Sequence, residues 1–182
     1  MLKPVRRIVT GHNAAGRSTV LFDGPCRHTR ENPARPGGGL TELWVTESTP
    51  ARNAGHADAA DRPIRLEPPP HGSLVRFFQV APEAADAVLT VEERERETAA
   101  AFAGVGAAHT RVDTTRSPGM HTTETVDYVI VLSGEVTLLL DEGEVDLKPF
   151  NVVIQRGTNH AWINRGAEPA LLVAVLIDAE AG

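Results

Sequence analysis

Apolar and polar residues alternate along the chain from residue 108 onward, in short runs separated by turn residues. The runs "HTRVDTT", "TVDYVIVLSG", "EVTLLLD", "EVDLK", "NVVIQRG", "HAWINRG" and "ALLVAVLI" are each of strand length. They are punctuated by "SG", "DEG", "RG" and "RGAEP". Period-two alternation at this spacing predicts an all-β barrel or sandwich, in which successive side chains of each strand face opposite sides. A sheet closed on itself has no unpaired edge, and alternate residues of every strand line its interior.

The first part of the chain is less regular. Residues 5–22 read as two strands around the turn "GHNAAG", a hairpin. Two more strands are expected in "LTELWVTEST" (40–49) and after the prolines of "PPPHGSLVRFFQVAPE" (68–83). The intervening 24–39 and 50–63, rich in Pro, Gly and charge, read as loops. A helix is predicted in "LTVEERERETAAAFAGVG" (89–106), where Thr90 and Glu93 form a capping-box pair ahead of an Ala- and Glu-rich run. Its "EERERE" stretch reads as a solvated face.

Composition narrows the function classes. The 182 residues suffice for one domain with a real core. Within it, residues 107–182 would be the barrel, and residues 1–106 the strands, loops and helix that pack on it or extend it. Eighteen basic and 24 acidic residues give a net charge of −6 with no basic stripe, which argues against a nucleic-acid partner. Cys26 is the sole cysteine, so neither an internal disulfide nor a cysteine zinc cluster can form. The N-terminal segment lacks the apolar stretch of a signal peptide and no run is long enough to span a bilayer, so the expectation is a soluble cytoplasmic protein without a membrane partner.

The candidate chemistry lies in two segments. If "MHTTETVDY" is a strand, His121, Thr123, Thr125 and Asp127 share one face, and Thr122, Glu124, Val126 and Tyr128 share the other. In "QRGTNHAWINRG", His160, Trp162 and Asn164 share a face by the same rule. Two strands thus supply two imidazoles and a carboxylate.

These segments resemble the two sequence motifs of the cupin superfamily. The first appears as His121-x-Thr123-x3-Asp127-x6-Gly134, with Thr123 and Asp127 where the family usually has histidine and glutamate. The later part of the second appears as Gln155-x-Gly157-x2-His160-x3-Asn164, with Gln155 in place of proline, and Phe150 and Asn151 near the place of Gly-Asp. The resemblance covers roughly residues 108–178 and implies a cupin (double-stranded β-helix, or jelly-roll) barrel with an N-terminal strand extension and one short helix. It also implies that His121, Asp127 and His160 lie where three of the four usual metal ligands lie. Such a set suits a divalent metal, Fe, Zn, Mn or Ni, with open positions for substrate and for water or oxygen.

The expected activity is therefore that of a metal-dependent small-molecule enzyme, with His121 and His160 as catalytic residues, on an oxygen-rich substrate such as a 2-oxo acid, a β-dicarbonyl or an enediol. Lyase, isomerase and dioxygenase chemistry all suit it. The alternatives are a non-catalytic small-ligand-binding cupin and a metal-free dehydratase or isomerase in which His121 and His160 move protons. Thr123, Thr125, Gln155 and Trp162 are the expected substrate contacts, and Trp162 equally suits the core. Asn164 and Gly157 read as turn and strand-end residues. His109 reads as part of a solvated face, His12, His28, His56 and His71 as loop residues, and Cys26 as inert. Glu124 points away from the site unless a bulge turns it in. A homodimer is the expectation that comes with the resemblance.

Overall fold

A computed structural model describes residues 1–32, 35–83 and 89–180. Eleven strands and one helix of those residues carry the fold. A hairpin of β1 (Arg6–His12) and β2 (Ser18–Pro25) opens the chain, with a register shift at Val9/Thr10. It is followed by β3 (Thr29–Glu31), β4 (Gly39–Thr46) and β5 (Ser73–Val80). Helix α1 (Val91–Gly104) and a single 3-10 turn (Ala108–Thr110) lead to β6 (Thr125–Ser133), β7 (Val136–Leu140) and β8 (Glu144–Leu147). β9 (Val152–Arg156), β10 (His160–Ile163) and β11 (Ala170–Asp178) complete the chain.

Six strands form one antiparallel sheet in the order β3-β4-β5-β11-β6-β9, and three form a second in the order β10-β7-β8. The strands before α1 thus extend the sheet of the C-terminal half. The long pairing of β5 with β11, from Ser73↔Ile177 to Val80↔Ala170, joins the two halves. Inward residues of the larger sheet (Val45, Leu74, Val129, Val131, Leu172, Leu176) meet Val136, Leu138 and Leu147 of the smaller in one core. Burial of these side chains is the main term holding the sheets face to face, at about 1.5–3 kcal/mol for each large aliphatic group.

The turn between β6 and β7 requires a glycine. Gly134 has φ 75°, and a Cβ there would lie 2.8 Å from the Cα of Ala170. Helix α1 carries the expected capping box: Glu93 N–H donates to the Thr90 hydroxyl at 3.1 Å, and Thr90 N–H donates to the Glu93 carboxylate at 2.8 Å.

Three sequence expectations need correction. "HTRVDTT" is not a strand, because Ala108–Thr110 close a 3-10 turn and Thr110 uses its hydroxyl to donate to the Ala107 carbonyl. The strand expected from residue 120 begins only at Thr125, since the backbone of His121 pairs with His160 instead, N–H to carbonyl both ways at 3.0 Å. The loop reading of 24–39 also missed the short edge strand β3.

Candidate functional site

The alternation read from the sequence persists although the strand is shorter. Thr123, Thr125 and Asp127 are buried while Glu124 and Tyr128 are exposed. The His121 bridge brings one end of this segment against β10, and the imidazoles of His121 and His160 lie 4.3 Å apart between centroids.

Each ring is fixed through Nδ1. His121 Nδ1–H donates to the Gly119 carbonyl at 2.9 Å, and His160 Nδ1–H donates to the Thr158 carbonyl at 2.9 Å. A carbonyl can only accept, so both Nε2 atoms carry the free lone pair. Burial lowers the pKa of His121 and brings that of His160 down to about 3, the latter with help from the neighbouring imidazole. Both rings are neutral near pH 7 and present unprotonated Nε2 atoms.

Buried polar side chains follow His121 along the same face of the segment. The Thr123 and Thr125 hydroxyls are hydrogen-bonded at 2.7 Å. Next along that face, Asp127 is 5% exposed, and its Oδ1 is buried without a hydrogen-bond partner among the described residues. Desolvation raises its pKa to about 6, opposed by the Thr125 side chain and by the charge of Arg76. A carboxyl with that pKa holds its proton for part of the time at neutral pH.

Glu42 and Arg76 complete the buried polar set and were not foreseen. They sit opposite each other on β4 and β5, with Arg76 Nη2 donating to Glu42 Oε2 at 2.7 Å and both side chains 2% exposed. Arg76 also donates to the Arg65 carbonyl. Burial pushes the Arg76 pKa down and the Glu42 pKa up, each opposed by the attraction of its partner. The signal was present in "SLVRFFQV", where Arg76 shares its parity with Leu74 and Phe78, a charge at an inward position of an apolar strand.

The remaining expected residues are distributed differently. Gln155 lies directly across from Asp127, but its amide donates to the Thr158 carbonyl and hydroxyl, which holds it in its own turn. Trp162 packs in the core, its ring 5.5 Å from Phe78 and 5.8 Å edge-on from His160. Asn164 is structural: its amide donates to the Val80 and Glu168 carbonyls, and its Oδ1 accepts from Gly166 N–H. His109 faces Glu67 at the surface, and His28 contacts Asp58 at 3.0 Å. Cys26 donates to the Glu42 carbonyl.

The three-ligand metal set is only partly assembled. The two free Nε2 atoms have the arrangement metal-binding histidines adopt, with Nδ1–H tied to a backbone carbonyl. Asp127 does not join them, since among the described residues no three His, Cys, Asp or Glu side chains gather as a group that would hold an ion. The donor set present therefore fits two protein ligands, not three.

Phe102 of α1 sets its ring against His121 at 5.0 Å, edge to face. With Phe78 it lines a cavity of about 450 Å³ between α1 and strands β3–β5. Both phenylalanines thus line the cavity and reach the imidazole site, Phe102 directly and Phe78 by way of Trp162.

Residues 108–176 match the family model described as the cupin domain. Phomopsin biosynthesis cluster protein C' of Diaporthe leptostromiformis is 57% identical over 47 residues, which are 25% of this chain and 25% of that protein. The chain thus spans about a quarter of that relative. The cupin-domain-containing oxidoreductase srdD of Neurospora crassa is 28% identical over 187 residues, covering 97% of this chain and 76% of that protein. Among solved structures, a Cupin 2 conserved barrel domain protein from Salinispora arenicola CNS-205 aligns over 82% of each chain, with a TM-score of 0.42 and 17% identity. The matched segment runs from the 3-10 turn into β11 and contains both motif segments with His121 and His160, so residues 108–176 are the part of this chain that is similar to the cupin domain.

Proposed function

We propose that the protein is a small-molecule enzyme that moves protons on an oxygen-rich substrate, a 2-oxo acid, a β-dicarbonyl or an enediol, in isomerase or lyase chemistry. The observation that carries this reading is the pair of neutral imidazoles with free Nε2 atoms, followed along the same face of the chain by Thr123, Thr125 and a buried carboxyl whose pKa is about 6. A neutral Nε2 accepts a proton from the carbon next to a carbonyl. The set of Thr123, Thr125 and Asp127 returns a proton to the oxygen on which negative charge develops. Groups whose environments push their pKa values apart in this way take the base and acid roles at one pH. Thr123 and Thr125 orient the substrate oxygens, and the Phe102 ring screens His121 from water.

A second reading follows from the free Nε2 pair and from the relatives named oxidoreductases. A divalent ion, Fe, Zn, Mn or Ni, would be held by His121 and His160 and would polarise a carbonyl or exchange electrons. Because Asp127 stands apart from the pair, the proton-transfer steps above rest on the side chains alone. We also place the protein in the cytoplasm as a homodimer, with neither nucleic acid nor membrane as partner. Among the described residues no helix is long and apolar enough to cross a membrane.

The test is solvent exchange at carbon. In D2O, wild-type protein treated with chelator should replace the acidic C–H of 2-oxo acids or β-dicarbonyls with deuterium, followed by NMR. His160→Ala should slow that exchange by about 10²–10⁴-fold, the range of a general base. Exchange that appears only when metal is restored, with about one equivalent bound in wild type and none in His160→Ala, favours the metal reading. Ligand binding with no exchange under either condition would leave a binding protein.

A further inference from the structure

We infer that the cavity between α1 and strands β3–β5 is a binding site for a carboxylic acid with an apolar or aromatic body, whose carboxylate pairs with Arg30. The inference rests on the proposed function, which needs an entry chamber beside the imidazoles, and it adds the substrate class. At about 450 Å³ the cavity is of the size that holds a small organic ligand. Its walls are apolar: Leu40, Leu66, Phe78, Ala101, Phe102 and Val105. Two of these walls are shared with the site, because Phe102 touches His121 and Phe78 touches Trp162, which in turn touches His160.

Charge sits on the rim. Glu31 is occupied, its carboxylate accepting from Leu2 N–H at 3.2 Å. Glu97 of α1 is half-buried and lines the cavity on the helix side, and Arg35 has a partner of its own. Arg30 is the cation available to a ligand, since no carboxylate pairs with it among the described residues. Its position is enforced by packing. The guanidinium lies against Gly104 in the last turn of α1, where a Cβ would overlap Nη2. Gly104 therefore makes room for Arg30 at the cavity edge, and the planar fork suits a carboxylate in bidentate geometry.

Calorimetric titration tests this without reference to catalysis. The probes are cinnamate and octanoate, each compared with its alcohol of the same length. Wild type should bind at least one acid about tenfold or more tighter than the matching alcohol, as a charge-assisted hydrogen bond would give. Arg30→Gln should bring that ratio to within about twofold while alcohol binding persists, and Gly104→Ala should lower it by displacing the guanidinium. Ala101→Trp should abolish binding of both probes by filling the cavity, with the circular dichroism spectrum verifying that it folds. Deuterium exchange is read in His160→Ala and probe binding in Arg30→Gln, so that a failure of the proposed function and a failure of this inference are told apart. Equal affinity for acid and alcohol in wild type, an unchanged ratio in Arg30→Gln, or undiminished binding in Ala101→Trp would each overturn the proposal.

Discussion

Arg76 shows how a single residue can hold both the sheet and the site in place. Its Nη2 is used by Glu42 and the Arg65 carbonyl, while Nε and Nη1 are buried without a partner among the described residues. Removing one member of such a pair leaves the other charge uncompensated in a low-dielectric interior, at about 3–5 kcal/mol. Arg76→Ala should lose that much in urea unfolding, whereas Arg76→Met with Glu42→Met should recover most of it, because two apolar groups leave no orphan charge. A single-mutant loss under about 1 kcal/mol would show that the pair is not desolvated as described. At this scale the sequence was informative where parity alone decides. Thr123, Thr125 and Asp127 point inward as alternation requires. Gln155 also points inward, but the hydroxyl of Thr158 captures its amide, and no periodicity reveals a local hydrogen bond. The separation of Asp127 from the two histidines was equally hidden, because ligand spacing along a motif does not fix the distance between side chains on different strands.

At the scale of elements, strands and helix were legible where pattern and cap agreed, as in α1 with its Thr90–Glu93 box and in β6 to β11. The run at 109–115 misled because its alternation is short and Thr110 closes a turn instead. The outer face of the large sheet carries a further consequence. Cross-strand register aligns Ile154, Tyr128, Val175 and Val75 in one row, and Val152, Ile130, Val173 and Phe77 in the next. Tyr128, Val152 and Ile154 are 43%, 58% and 53% exposed, and β9 is an edge strand. An apolar sheet face with an open edge is a surface that a second copy would cover, and it is the basis of the proposed homodimer. Light scattering at about 50 µM should give twice the chain mass for wild type and the chain mass for Ile154→Lys, since a lysine in the middle of the row would be buried without a partner. A monomeric wild type, or a variant that stays dimeric, would remove this face as the interface.

For the whole molecule, stability against pH integrates the shifted groups, and in the metal-free protein their signs can be worked out. His121 and His160 have folded pKa values below the ordinary histidine value, so their contribution is complete above about pH 6.5 and is lost as pH falls toward the folded values, about 3 for His160. Asp127 acts in the opposite sense. Its folded pKa of about 6 lies above the unfolded one, so between about pH 4 and 6 the folded state holds a proton that the unfolded chain has released. In that window the carboxyl offsets one histidine, and stability falls only gradually with acid. Asp58 adds a different contribution. Held by Arg7 and also by His28, its carboxyl lies far below the usual carboxylate range, so stability is lost as pH falls below about 4 toward the folded pKa. Urea midpoints for chelated wild type should therefore decline gently from pH 6.5 to 4 and steeply below 4. Asp127→Asn removes the offsetting proton and should make the upper branch steeper by about 1.4 kcal/mol per pH unit, one proton's worth. If Asp127→Asn follows the wild-type slope between pH 4 and 6, the carboxyl is not the partly protonated acid that the proposed chemistry requires, and proton return to the substrate oxygen must come from another group.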